Sequence, residues 1–373
     1  MTTRTVIIFT ARLGIGGAER VASVMANYWA TQGWHVILLT QKEADQDFYS
    51  LHEKVTRIGM GLLNESTSLK AAIAQNINRV RLFRKLIRQY KPTAVISFLP
   101  NSNVLAIVSS LGLKTPVIVS ERSNPYEDPL GAIWQRLRRL SYKHADGVVI
   151  QTTGSLAWAK EFIPEENIAI IPNPVWASFP ETPKELLFPL PEGTLIFAMG
   201  RLSEEKGYDK LILAFAKIAT KHPDAYLVIL GEGEMRPALE AIIDEHQLRG
   251  RVLLPGKIEK PHDIIAKGDI IALSSRFEGF PNALLEGMSL GLAGLSFDCA
   301  SGPSDLIEHG KSGLLIPPED IDALAEGMDQ LLSDPELLQK MSKKAKQVKQ
   351  QFAIEKIMQH WEELIDRVST AYS

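Results

Sequence analysis

Cysteine is almost absent, with Cys299 the only one in 373 residues. One thiol excludes an intramolecular disulfide framework and any cysteine-rich metal site, and it fits a reducing compartment. Long apolar runs are missing too. The longest weakly polar stretches, Val104 to Leu113 and Leu284 to Phe297, fall short of the ~20 residues a bilayer span needs, and the second contains Glu286. The short apolar stretch after Met1 runs into Gly14, Gly16 and Gly17, which reads as a first strand and not a secretion signal. The eight histidines are scattered, without the paired spacing that holds zinc. Neither a G-x-x-x-x-G-K-[ST] loop nor a G-x-S-x-G elbow occurs, so NTPase and serine hydrolase readings have no support.

Acidic residues are absent from one region: between Ser66 and Ser120 there are none, against eight Lys/Arg. The formal net charge of −3 hides this asymmetry, because residues 1–180 carry 20 Lys/Arg against 13 Asp/Glu and the remainder 21 against 31. A basic half suggests an anionic partner: phosphate, nucleic acid or lipid headgroups. Nucleic acid ranks below lipid, since the overall pI is about 6.3 and no recognition module is readable.

With 45% hydrophobic and 23% charged residues, 26 Gly and 21 Pro, the chain is not disordered, collagenous or a coiled coil, and its length suits about two domains. Short β-branched runs alternate with amphipathic stretches: Thr5–Phe9, Glu19–Thr31 and His35–Thr40, then Ala94–Phe98, Val117–Ser120 and Gly147–Gln151. Such repetition predicts a parallel sheet with helices on both faces. After the Pro-rich stretch Pro172 to Pro191, further strands are expected at Leu195–Met199, Ala225–Leu230, Arg251–Leu254, Ile270–Leu273, Ala293–Ser296 and Gly313–Ile316. The expected architecture is α/β, with two Rossmann-like, doubly wound parallel-sheet domains facing across a cleft, over 1–174 and 175–351. The segment 352–373, with Ile354, Ile357, Met358, Trp361, Leu364, Ile365 and Val368 at helical spacing, has no strand after it and is expected to dock on the first domain. Ligands of such sheets sit at the carboxyl ends of the strands, so function belongs to the loops that follow strands.

The first such loop is Gly14-Ile15-Gly16-Gly17-Ala18-Glu19-Arg20. A dinucleotide fingerprint needs Gly at position 19, where Glu would repel a pyrophosphate, so NAD is rejected. Gly16 and Gly17 suit a turn whose N–H groups approach an anion at a helix start, or simply a tight βα turn. In the second domain Gly200-Arg201-Leu202 follows a strand, and Lys206-Gly207 precedes the helix expected over Tyr208–Thr220. An Arg fork and a Lys point charge on one loop can clamp a diphosphate and neutralise a leaving group's developing charge. Alone, such a pair is more often solvated. After Ile270–Leu273 comes Ser274-Ser275-Arg276-Phe277-Glu278-Gly279-Phe280-Pro281-Asn282-Ala283-Leu284-Leu285-Glu286. Glu278 in the loop and Glu286 on the helix from about Asn282 can accept hydrogen bonds from two separate groups of hydroxyls, as a sugar nucleotide offers.

Together with Ile170-Ile171-Pro172-Asn173-Pro174, Gly231-Glu232-Gly233, Leu254-Pro255-Gly256, Ser301-Gly302-Pro303 and Gly313-Leu314-Leu315, these segments make the chain resemble the retaining family 4 glycosyltransferases of the GT-B fold over nearly its whole length. The resemblance implies that Arg201 and Lys206 hold a donor diphosphate, that Glu286 binds the nucleotide ribose, and that Glu278 contacts the donor sugar. It also places Gly279, Phe280 and Asn282 at the donor, and Lys257 and Ile258 against the base. Many members carry a His after the strand matching Val117–Ser120, in contact with the donor sugar. Here Ser120-Glu121-Arg122-Ser123-Asn124-Pro125 puts Arg122 in its place, a form similar to bacterial members that extend lipid-linked oligosaccharides. Pairing of Arg122 with Glu121 or another carboxylate is the alternative.

From Lys70 to Tyr90, Ile73, Ile77, Val80, Phe83, Leu86, Ile87 and Tyr90 recur at helical spacing while Arg81, Arg84, Lys85 and Arg88 occupy another face. This predicts an amphipathic helix with a cationic stripe that attracts an anionic membrane surface or an acceptor pyrophosphate; the alternative is an apolar face that is simply core, with solvated arginines. Arg136, Arg138, Arg139 and Lys143 form a second basic cluster. Two Asp-x-Asp matches, Asp45-Gln46-Asp47 and Asp320-Ile321-Asp322, read as a polar loop and an acidic first helical turn. With Arg201 and Lys206 neutralising charge, neither metal nor cofactor is expected. By the resemblance, the chain moves a hexose or N-acetylhexosamine from a UDP-sugar, with retention, to a polyprenyl-linked glycan or polysaccharide at the cytoplasmic face of the cell membrane. The alternatives are a sugar-nucleotide epimerase, which lacks a clear acid/base carboxylate pair in the first domain, and a catalytically idle membrane-binding module, against which Glu278 and Glu286 argue.

Overall fold

The computed structural model describes residues 4–14, 16–62, 69–126, 130–175, 189–258 and 260–372. Most of the expected Pro-rich linker, 176–188, lies outside the described residues. The chain divides into two units, one of Met1–Asn173 with Ile357–Ser373 and one of Pro174–Lys356.

The first unit holds a parallel sheet of β1 (Thr5–Thr10), β2 (His35–Thr40), β3 (Thr56–Gly59), β4 (Ala94–Phe98), β5 (Val117–Ser120), β6 (Gly147–Ile150) and β7 (Ile168–Ile170), in the order β3-β2-β1-β4-β5-β6-β7. Runs such as Val6 to Phe9 and Val36 to Leu39 are wholly buried, apolar on both faces as a sheet between two helix layers requires. The edge strands β3 and β7 were not predicted. Thr56–Gly59 is half-buried without an apolar run, and Ile168–Ile170 has only three residues.

The second unit is built alike, from β8 (Thr194–Met199), β9 (Ala225–Leu230), β10 (Val252–Gly256), β11 (Ile270–Leu273), β12 (Ala293–Phe297) and β13 (Gly313–Ile316), in the order β10-β9-β8-β11-β12-β13. All six lie where the residue pattern put them, although β10 runs on through Pro255 with a register shift before Gly256. Proline is tolerated there because β10 is an edge strand. Each sheet reverses its winding beside its first strand, β1 being flanked by β2 and β4, and β8 by β9 and β11. The loops leaving β8 and β11 therefore open beside each other, which is where ligands of such sheets bind.

The helix Ile354–Ser369 buries Trp361, Leu364, Ile365 and Val368. Within the first unit Trp361 packs on Phe98 with ring centroids 6.2 Å apart, Leu364 lies over Gly147, and Glu362 accepts a 3.0 Å hydrogen bond from Trp29 Nε1. Tyr372 donates to Asp146 at 2.8 Å. Replacing Trp361 with Ala removes a side chain 1% exposed and is expected to cost about 3–5 kcal/mol, read as a lowered urea midpoint. A midpoint equal to that of the parent would show that this helix contributes little to the first unit.

Candidate functional site

At the end of β8 the backbone turns through Gly200, whose added Cβ would meet the Tyr208 hydroxyl at 2.7 Å. Leu202, fully buried, anchors the loop, and its N–H donates to Glu232 O at 2.9 Å. The short turn Glu204–Lys206 then ends at Gly207, in the left-handed region at φ 61°, and the helix Tyr208–Ala219 follows. Gly207 is required twice over, since a Cβ there would also lie 2.1 Å from Ser274 O. This close approach stitches the β8 loop to the β11 loop, and Ser274 Oγ donates to Lys206 O at 2.9 Å.

The result is an ion pair between two of the expected site residues. Lys206 Nζ lies 2.7 Å from Glu278 Oε1, and the same oxygen accepts from Ser275 Oγ at 2.6 Å. Ser301 Oγ donates to the Glu278 carbonyl. Beneath them Tyr208 is buried, and burial, reinforced by Glu278 and Glu205, raises its hydroxyl far above the ordinary range. Arg201 is exposed at the loop tip and forms no side-chain hydrogen bond or ion pair among the described residues. Arg276 turns away to Asp209 and Glu319, at 3.1 and 3.3 Å.

Glu286 lies on the helix Asn282–Leu290 and is 2% exposed. Its Oε2 is 2.9 Å from His262 Nε2, a hydrogen bond that requires the Nε2–H tautomer or the imidazolium. His262 was not among the expected site residues. It opens the short helix Pro261–Ile265 after β10, on the loop that carries Lys257 and Ile258, so strand-end placement was the available signal. Phe280 departs from expectation: its ring is buried against Phe352, centroids 6.2 Å apart, which leaves backbone and not side chain to serve a ligand. Gly279 and Asn282 are half-buried beside it.

In the first unit the Gly16–Gly17 turn opens the helix Gly17–Thr31 as expected, but the chain's own Glu19 takes the place at its positive end. A Cβ on Gly16 would lie 2.3 Å from Glu19 Oε2, and Arg12 stands 3.9 Å from the same carboxylate group. Arg122 does not pair with Glu121. It donates to Asn173 Oδ1 at 2.5 Å and stacks over Phe98 and Trp361, at 4.7 and 5.9 Å. Burial lowers its pKa to about 9, and the side chain is half-buried against Asn173. Glu121 instead receives the Tyr142 hydroxyl at 2.9 Å and faces Arg138 at 3.7 Å. Arg138, expected in a surface cluster, is 2% exposed and stacked on Trp158.

On the helix Leu69–Tyr90, Arg81, Lys85 and Arg88 are exposed, while Arg84 donates to the carbonyls of Ser109 and Leu111, at 2.9 and 2.7 Å, and so caps the end of the helix Pro100–Ser110. Ile73 and Ile77, on the apolar face of this helix, are exposed. Three of the four Asp-x-Asp carboxylates are engaged structurally: Asp47 is gripped by Arg57 at 2.6 Å, Asp320 caps the helix Ile321–Ser333, and Asp322 pairs with Lys217 at 2.6 Å.

Residues 16–174 match the family model described as glycosyl transferase 4-like domain, and residues 180–348 match that described as glycosyl transferases group 1. Over 365 residues the chain is 29% identical to the Campylobacter jejuni GalNAc-alpha-(1->4)-GalNAc-alpha-(1->3)-diNAcBac-PP-undecaprenol alpha-1,4-N-acetyl-D-galactosaminyltransferase, covering 97% of this chain and 98% of the relative. A second C. jejuni enzyme, the N-acetylgalactosamine-N,N'-diacetylbacillosaminyl-diphospho-undecaprenol 4-alpha-N-acetylgalactosaminyltransferase, is 27% identical over 355 residues, with coverages of 91% and 93%. The fold is similar to that of the lipopolysaccharide outer core galactosyltransferase WaaB, at TM-score 0.77 and 20% identity over 98% and 99% of the two chains. It is also similar to Anabaena HepE in complex with UDP and glucose, at TM-score 0.80 and 18% identity over 97% and 99%.

Cys299 adjoins this site and offers a probe of it. Burial, reinforced by Glu278, pushes its thiol up to about 11, so at neutral pH it stays protonated and enclosed. Ellman's reagent is expected to label the native chain far more slowly than the chain in guanidinium, and fast native labelling would contradict the packing around Glu278.

Proposed function

We propose that this chain, a glycosyl transferase 4-like domain joined to a glycosyl transferases group 1 domain, moves a hexose or N-acetylhexosamine from a UDP-sugar to a lipid-linked oligosaccharide with retention of configuration. The observation that carries this reading is the Lys206–Glu278 pair at the point where the second sheet reverses its winding. A donor diphosphate takes Lys206 and the unengaged Arg201 as partners, and Glu278, relieved of its cation, accepts the hydroxyls of the donor sugar. Glu286, held by His262, receives the ribose hydroxyls, with Lys257 and Ile258 beside the base. As the sugar–phosphate bond breaks, charge develops on the departing diphosphate where two cations already stand, which lowers the barrier without a metal ion. The acceptor hydroxyl attacks from the same face and gives its proton to the leaving phosphate.

The acceptor class comes from the relatives, whose names specify undecaprenyl-diphosphate-linked N-acetylgalactosamine glycans. A lipid-linked acceptor places the reaction at an anionic membrane surface, on the cytoplasmic side. Arg81, Lys85 and Arg88 support this, as does the helix Ala132–Tyr142, which exposes Ile133, Leu137 and Leu140 beside Arg136. Among the described residues no helix is long and apolar enough to cross a membrane.

Lys206→Ala and Arg201→Ala are each expected to lower kcat about 100-fold or more, the effect of losing one stabiliser of a developing anion, assayed with UDP-N-acetylgalactosamine and a polyprenyl-diphosphate glycan. Unchanged turnover in both would refute the assignment. His262→Ala should act differently, raising the donor KM at least about tenfold with little change in kcat, since it removes a hydrogen bond to a carboxylate (about 1.5–3 kcal/mol). An unaltered donor KM would separate His262 from the nucleotide.

A further inference from the structure

Two tyrosines are buried among the described residues, Tyr142 and Tyr208. The Tyr142 hydroxyl donates to Glu121 at 2.9 Å and accepts from Asn103 Nδ2 at 2.8 Å. The Tyr208 hydroxyl, in a residue 4% exposed, has no hydrogen-bond partner among the described residues. We infer that this hydroxyl is a third donor to the nucleotide diphosphate, beside Arg201 and Lys206. This rests on the glycosyl-transfer reading above and deepens it by adding a residue to the donor site.

Ring and hydroxyl have separate surroundings. Tyr208 opens the helix Tyr208–Ala219 directly after Gly207 and belongs to the apolar core of the second unit, with Ile196, Ala198 and Leu211. Its oxygen emerges at the end of β8: a Cβ on Gly200 would lie 2.7 Å from it, and 3.6 and 3.7 Å from Cε and Cδ of Lys206. The hydroxyl and the stem of Lys206 therefore flank one point of the backbone, and Arg201 is the next residue along it. The oxygen itself is not wholly enclosed, so a ligand lying over this loop can reach it.

Phenylalanine would fill the same space in the core without burying a hydroxyl, and buried polar groups without a partner are rare because each one is destabilising. The fold gains nothing from this oxygen. What it offers is a donor: burial, reinforced by Glu278 and Glu205, raises its pKa far above the ordinary range, so the proton stays on it. The flanking cations select the acceptor. An uncharged nucleoside or sugar leaves the charges of Lys206 and the exposed Arg201 unmatched, whereas a diphosphate oxygen accepts from both and forms a short, charge-assisted hydrogen bond with an O–H. The two carboxylates nearby are already engaged, Glu278 by Lys206 and Ser275, and Glu205 by Ser203 Oγ at 2.6 Å.

The test compares the whole chain with its Tyr208→Phe variant, which removes the oxygen and keeps the ring. UDP is titrated by calorimetry, uridine is followed by saturation-transfer NMR, and stability is read as the urea midpoint. The expected result is a UDP Kd raised about tenfold or more, the effect of losing a hydrogen bond to a charged group, with the same uridine signal and a midpoint no lower than that of the parent. Equal UDP affinity in the two chains overturns the inference and leaves the donor assignment standing. A lowered midpoint, or a uridine signal lost together with UDP affinity, also overturns it, because the hydroxyl then serves the fold. A parent chain that takes up no UDP overturns the donor assignment, and the role of Tyr208 with it.

Discussion

Lys206 and Glu278 are 72 residues apart and meet at 2.7 Å because of strand order. With β8 between β9 and β11, the loops leaving β8 and β11 emerge side by side, and Gly207 brings one backbone onto the other at Ser274. Neither residue is fully solvated, their side chains being 23% and 9% exposed, so removing one leaves the other with an uncompensated charge. The pair is therefore both a structural tie between the loops and, in the proposed reaction, the element that changes partners when a diphosphate arrives. Ser275 donates to the same carboxylate oxygen, so the carboxylate keeps a hydrogen bond as its cation is diverted, and Ser301 holds the Glu278 backbone carbonyl in place.

The strands of both sheets were legible because parallel strands buried on two faces are continuous apolar runs. The same rule explains what was missed, since β3 and β7 lie at sheet edges where one flank needs no apolar cover. Helical spacing identified Leu69–Tyr90 but not its depth, because spacing marks a face and not its neighbours: Phe83 and Ile87 are covered while Ile73 and Ile77 are not. In the site, strand-end placement brought out Lys206, Glu278 and Glu286. It could not reveal that His262 reaches Glu286, a contact 24 residues away in sequence, or that the Phe280 ring turns inward.

Charge was the least legible property. Arg138 and Arg84 look like any other surface cation in the sequence, yet one is enclosed with Glu121 and Trp158 and the other closes the end of a neighbouring helix. The basic first half is thus partly a structural device. Glu121, Arg138 and Tyr142 hold the loop after β5 from beneath, while Arg122 on the same loop lies against the rings of Phe98 and Trp361. With Nε and Nη2 of Arg122 unsatisfied among the described residues, that loop keeps a guanidinium where desolvation is costly.

Because Ile357–Ser373 belongs to the first unit, the ribosome makes the two units in an order that folding cannot follow. Domains generally fold as they emerge, N-terminal first, at ~5–20 residues per second. Here the Phe98 and Trp29 surfaces wait uncovered until all of Pro174–Lys356 has been translated. The later unit is contiguous and can close first, leaving its predecessor the more exposed to chaperones and proteases during synthesis.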